Sequence, residues 1–188
     1  KTGHTIIQID KEAQNCILLF GGANQMLTKE YIDGVLSHFQ DGDILLLQNE
    51  VNDIAYMVEC AYEKGMQIAL NPSPFNERLE DVDMDKISIF LLNEIEGGQI
   101  TGLSDPDRIF HEMCCRFPKA KIVLTLGSDG AVYGATGQTY RQPIFPVHAV
   151  DTTAAGDTFT GYFLAGLVEG LPVEQTLRMS AKASSIAV

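Results

Sequence analysis

Asp151 and Asp157 bracket two hydroxyl residues and three small ones, Thr152-Thr153-Ala154-Ala155-Gly156. From Phe159 onward, apolar or small residues fall at 159, 162, 163, 166 and 167, the stripe of a buried helix. That spacing places Ala154, Ala155 and Gly156 at the helix N-terminus. There the first backbone N–H groups have no partner within the helix, and the helix dipole favours negative charge. Without bulky side chains, an anion can approach those N–H groups closely. A carboxylate beside such a cradle suits phosphoryl transfer: the cradle holds developing charge, and Asp157 takes the proton of an attacking hydroxyl. The same string also reads as a core helix capped by Asp151 or Thr153, with Ala-Ala-Gly present for packing.

Other polar residues follow apolar runs. Glu50 follows Leu45-Leu46-Leu47 and can accept hydrogen bonds from sugar hydroxyls, or is a surface carboxylate ahead of a helix. Asn93 and Glu96 form N-x-x-E, which can order water around Mg²⁺ or close a capping box. Thr125-Leu126-Gly127-Ser128-Asp129-Gly130 holds two glycines that permit positive φ and a ligand lying against the backbone, or a plain turn between strands.

The elements that must position these residues alternate. Thr5 to Asp10 and Cys16 to Phe20 read as a hairpin around the polar turn Lys11 to Asn15, the second strand buried. Leu27, Tyr31, Val35 and Phe39 recur every four residues and predict a helix with Thr28 near its start. Ile44 to Leu47 is a strand. Asn52 can cap the next helix, whose predicted buried face is Ile54, Met57, Val58, Ala61 and Tyr62 and which Gly65 ends. Strands follow at Gln67 to Leu70 and Ile87 to Leu92. A helix opens at Asp105-Pro106 and buries Ile109, Phe110, Met113 and Phe117. Ile122 to Leu126 is a strand, and Ala131–Ala135 with Thr139–Gln142 a second hairpin. Pro172 breaks the helix after Asp157, and a last one runs from Val173. Short apolar strands alternating with helices predict an α/β fold: a three-layer α-β-α sandwich whose mostly parallel sheet carries antiparallel hairpins. Ligands in such a sheet sit beyond the carboxyl ends of the strands.

The net charge of −12, with no basic run, argues against nucleic acid and anionic membrane surfaces as partners. Cys16, Cys60, Cys114 and Cys115 show neither metal spacing nor a disulfide framework, which fits free thiols in a reducing cytoplasm. His4, His38, His111 and His148 lack metal-ligand spacing. There is no G-x-x-x-x-G-K-[ST] loop and no G-x-G-x-x-G after the first strand.

The string Asp151-Thr152-Thr153-Ala154-Ala155-Gly156-Asp157-Thr158-Phe159 resembles the D-T-x-A-A-G-D-x-F signature of the ribokinase and phosphofructokinase-B family of sugar kinases. Tyr162 departs from the small residue common there, but its place on the core stripe keeps it off the chemistry. The stretch Leu45 to Glu50, the order Asn71-Pro72-Ser73-Pro74, Leu91 to Glu96 and Thr101-Gly102, and the T-L-G-x-x-G segment at Thr125 to Gly130 are similar to the same family, nearest to its ribokinases. Gly22-Ala23-Asn24-Gln25 resembles part of the family's sugar motif but lacks its lysine, and is not assigned to the sugar site.

The resemblance implies an ATP-dependent kinase that converts ribose to ribose 5-phosphate, or acts on fructose, 2-keto-3-deoxygluconate or adenosine. A non-catalytic nucleotide-binding fragment is the reading from another class. Asp157 would be the base, with Ala154, Ala155 and Gly156 the anion hole and Glu50 the sugar contact. Asn93, Gly156 and Thr125 to Gly130 (Leu126, Gly127, Ser128 and Asp129 included) would bind ATP. Glu96 would order Mg²⁺ through water, and Asp151 with Thr153 would hold K⁺ as an activator. The expected organisation is a single kinase domain over 1–188, truncated at both ends relative to the family and lacking its lid, from a cytoplasmic protein whose full-length form could dimerise.

Overall fold

The computed structural model describes residues 1–9, 11 and 15–188. Asp10 and most of the expected turn, Glu12, Ala13 and Gln14, lie outside the described residues. The first hairpin forms as expected: β1 (His4–Ile9) pairs antiparallel with β2 (Asn15–Phe20), His4 opposite Phe20. The second strand is not buried, however. Ile17, Leu18, Leu19 and Phe20 are about half exposed, because this two-stranded ribbon forms a sheet of its own.

Six strands make the main sheet: β3 (Ile44–Gln48), β4 (Gln67–Asn71), β5 (Ile89–Asn93), β6 (Lys121–Thr125), β7 (Ala131–Ala135) and β8 (Gln138–Gln142). They lie in chain order, the first four parallel and the last two antiparallel, which is the mixed sheet the sequence predicts. Side chains alternate across it. Ile68, Leu70, Phe90, Leu92, Ile122 and Leu124 face one core, together with α2 (Ile54–Glu63) and α4 (Pro106–Arg116). Ala69, Ile89, Leu91 and Val123 face the other, together with α5 (Ala155–Val168) and α6 (Val173–Ala187). Two buried layers on opposite faces of one sheet give the three-layer sandwich. β5 begins two residues later than predicted. Ser88 instead closes the strand's entry, its N–H donating to the Ile68 carbonyl (2.9 Å) and its hydroxyl accepting from the Ile68 N–H (3.1 Å).

Helix faces depart from the prediction at three places. Thr28 does cap α1 (Lys29–Leu36), accepting from the Tyr31 N–H at 3.2 Å. Yet the buried residues of α1 are Ile32 and Leu36, while Tyr31, Val35 and Phe39 are exposed and Phe39 lies past the helix end. The packed line is one residue, 100°, round from the predicted one. On α2, Ile54, Met57, Val58 and Ala61 are buried as expected, but Tyr62 is exposed beneath the Lys86 ammonium, 5.3 Å from its ring centre. Nor does Asn52 cap α2. Asp53 holds the cap position at φ +58°, and the Asn52 amide pairs with the Leu27 backbone, accepting at 2.9 Å and donating at 2.8 Å. Tyr162 of α5 is likewise exposed. The buried face runs through Phe159, Thr160, Phe163, Leu164 and Gly166, turned away from it. The α4 face, Ile109, Phe110, Met113 and Phe117, is buried as predicted.

Candidate functional site

The four parallel strands end on polar residues in register: Gln48 pairs with Asn71, and Asn93 with Thr125. Above those ends lies a cavity of about 290 Å³. Its polar lining includes Gln48, Glu50, Asn71, Asn93, Glu96 and Asp157, and Ile17 of the hairpin also borders it. A second cavity of about 450 Å³ adjoins it. Thr125, Gly127, Ser128 and Gly130 line one side, and Ile144, Phe145, Val147, Ala149, Ala181 and Val188 give it an apolar wall. Thr125, Gly156 and Phe159 belong to both cavities. The head of α5 therefore stands where a polar chamber meets an apolar one.

That head has the predicted construction. Ala154 occupies the cap position at φ +61° with no side-chain cap, and the Thr158 N–H is the first to bond back, reaching the Ala154 carbonyl at 2.9 Å. Gly156 and Asp157 thus form the open part of the first turn. The Ala155 N–H leans on the Thr152 carbonyl at 3.3 Å. A Cβ added to Gly156 would meet nothing within 4 Å, so no packing inside the described chain requires glycine there. Asp157 is exposed, and its Oδ1 accepts from the Gln48 side-chain amide at 2.8 Å.

Asn93 and Glu96 form a complete capping box on α3 (Glu94–Thr101). Asn93 Oδ1 accepts from the Ile95 and Glu96 N–H groups, both at 2.9 Å, and Glu96 Oε2 accepts from the Asn93 N–H at 3.0 Å. Asn93→Ala removes this cap, and denaturant unfolding should register a loss of about 1 kcal/mol. Glu96 is nonetheless a buried carboxylate on the cavity wall, so the capping residue also borders the cavity.

Asp151 Oδ1 accepts from the Thr153 N–H at 2.8 Å. The Thr153 hydroxyl, and then this N–H, hold the Asp151 carboxyl below the usual carboxylate range. Neither residue lines either of these two cavities, whereas Thr152 between them lines the apolar one. Among the described residues, no three His, Cys, Asp or Glu side chains gather as metal ligands.

The loop after β6 divides its labour. Gly127 (φ +52°) and Ser128 border the apolar cavity, and a Cβ at Gly127 would meet open space. Leu126 packs on the core, and Asp129 is exposed; neither lines the cavity. The glycine segment Gly22–Gln25 braces the site from behind, with Gln25 Nε2 donating to the Glu50 carbonyl at 2.7 Å. Sequence reasoning missed Gln48, although it ends its strand just as Asn71, Asn93 and Thr125 end theirs. It also missed the wall from Ile144 to Ala149, which has no periodicity to betray it, and Ala181, Ser184 and Ser185, which α6 brings in by packing on α5.

No helix among the described residues is long and apolar enough to cross a membrane. The pfkB family carbohydrate kinase model matches residues 1–188. The chain is 33% identical to ribokinase of Arabidopsis thaliana over all of its own length and 52% of that protein. It is 32% identical to ribokinase of Bacillus subtilis, again over its full length and 61% of the relative. It thus spans between half and two thirds of these two relatives. The solved structure of Arabidopsis thaliana ribokinase complexed with ribose and ATP superposes with a TM-score of 0.81 at 28% identity, covering all of this chain and 63% of that one. The sheet order, the open head of α5 between two cavities and the match along the entire chain place it in one group: it belongs to the pfkB family of carbohydrate kinases.

Proposed function

We propose that this chain forms the phosphoryl-transfer core of an ATP-dependent sugar kinase whose acceptor is ribose. The observation that carries the reading is the position of Gly156 at the junction of the polar and apolar cavities, with Asp157 next to it on the polar side. A sugar hydroxyl and a nucleotide phosphate entering from opposite sides would meet there. The hydroxyl proton passes to Asp157, the freed oxygen bonds to the terminal phosphorus, and the bond to ADP breaks with its electron pair on ADP. The N–H groups at the head of α5 offset the charge spreading over the phosphoryl oxygens, those of Gly156 and Asp157 foremost because the Ala155 N–H already leans on the Thr152 carbonyl. Glu50, with Asn71 beside it, suits a ligand rich in hydroxyls. The apolar wall of the larger cavity suits a purine base, with Gly127 and Ser128 beside the phosphates.

Mg²⁺ would be ordered through water by Glu96, whose Oε2 is engaged by Asn93 and whose other oxygen is left for water; when bound, the metal would neutralise phosphate charge. An activating K⁺ would be held by Asp151, which its Thr153 contacts keep ionised, and by the Thr153 carbonyl. The Arabidopsis neighbour that binds ribose and ATP supports both substrates.

The test is phosphate transfer from Mg-ATP to a panel of sugars, ribose first, with and without K⁺, by the whole protein that carries this chain. Ribose turnover stimulated by K⁺ is the expected result. Turnover of another sugar alone moves the substrate and keeps the mechanism. Absence of turnover with every sugar and nucleoside overturns the reading.

A further inference from the structure

We propose that Gln48 is a positioning residue for Asp157, an inference that rests on the kinase reading above. The two residues are 109 positions apart, and the Gln48 Nε2 donates to Asp157 Oδ1 at 2.8 Å. An ionised carboxylate only accepts hydrogen bonds, so the amide nitrogen is the end of Gln48 that must face it.

Gln48 is well placed for the task because its own backbone is fixed. It is the last residue of β3 and pairs with Asn71 on β4. The next residue, Asn49, is 3% exposed and clamps the strand end to the loop after β4. Its N–H donates to the Ser73 carbonyl at 3.0 Å, and its side-chain amide donates to the Pro74 carbonyl at 2.7 Å. Asp157, by contrast, is an exposed short side chain in a first helical turn, where its carboxylate would otherwise sample several rotamers. The Gln48 contact ties Oδ1 to the sheet and leaves Oδ2 for the hydroxyl proton.

The chemistry of an amide suits both ends of the reaction. Before transfer it donates to a carboxylate oxygen. After transfer the proton sits on Oδ2, and Oδ1, now a carbonyl oxygen, still accepts the same bond. A carboxylate or imidazole at position 48 would compete for the proton; an amide does not titrate and does not.

The test is a double-mutant cycle in the whole protein, with kcat for the sugar and nucleotide affinity measured for Gln48→Leu, Asp157→Asn and the pair. Gln48→Leu should lower kcat by about 10–100-fold, the scale at which misplacing a reacting group by an ångström acts. Nucleotide affinity and melting temperature should stay near wild type. In the Asp157→Asn background the same change should have little further effect, because its influence runs through the base. Gln48→Glu, close in size but without the N–H, should not restore kcat. Normal turnover in Gln48→Leu, or an equal loss with and without Asp157, overturns the proposal while leaving the kinase reading intact. A wild-type protein that phosphorylates no sugar or nucleoside overturns both.

Discussion

Asp157→Asn is expected to lower kcat for sugar phosphorylation by about 10²–10⁴-fold, the usual contribution of a positioned general base. Nucleotide affinity should remain close to wild type. The substitution is nearly isosteric, and an asparagine Oδ1 can still accept the Gln48 amide bond seen at 2.8 Å. What is lost is the capacity to take a proton and one negative charge in the first turn of α5. The charge at a helix N-terminus is worth about 0.3–1 kcal/mol. A hundredfold loss of rate corresponds to about 2.7 kcal/mol. The dipole effect alone therefore falls short, and a loss of the expected size has to come from the chemistry. Steady-state kinetics beside a nucleotide titration would separate the two. Near-normal turnover in the variant would remove Asp157 from the role of base.

The alternation of strands and helices was legible because each period is local, and so was the open head of α5, because three small residues there leave its first turn uncovered. What escaped was decided by partners distant in sequence. On α1 the series 27, 31, 35, 39 and the pair Ile32 and Leu36 have the same spacing, and only the packing of α1 on α2 chooses between them. Cys16 to Phe20 is as apolar as any core strand, yet its ribbon stands as a separate sheet. Asn52 has the chemistry of a cap and spends it on Leu27, 25 residues away. Gln48 shows the same limit at the site itself. An amide at a strand end is unremarkable until a helix from 109 residues later sets a carboxylate against it. For Asn93 and Glu96 the sequence offered capping or a place at the ligand, and the folded chain uses one pair of side chains for the cap while keeping both on the cavity wall.

Two glycines that border the larger cavity should respond to alanine in opposite ways. Gly130 has φ +91°, and a Cβ there would come within 2.1 Å of the Gln142 carbonyl oxygen and 2.9 Å of the Pro143 Cα. The close approach it permits is to the chain's own backbone, not to a ligand. With ψ −131° this is a sparsely populated backbone region that costs an alanine about 1–3 kcal/mol, and overpacking against rigid atoms adds about 1–3 kcal/mol. For a chain of this size each kcal/mol moves the melting temperature by about 2–4 °C, so Gly130→Ala should melt roughly 10 °C lower. Gly156 is the reverse case. A methyl group there meets nothing within 4 Å, and alanine in a helix is favoured over glycine by about 0.5–1 kcal/mol. Gly156→Ala should therefore melt at or above the wild-type temperature. The methyl would nevertheless project where the two cavities meet, holding phosphoryl oxygens away from N–H groups that must come within about 3 Å of them to act. Losing one such donor typically costs about 10²–10³-fold in kcat, and a comparable loss is expected here. Thermal melting and kcat measured on both variants test the division. A Gly156→Ala protein that is stable and fully active would show that phosphate does not pass over the head of α5. A Gly130→Ala protein with an unchanged melting temperature would show that the backbone of β8 yields where its packing says it cannot.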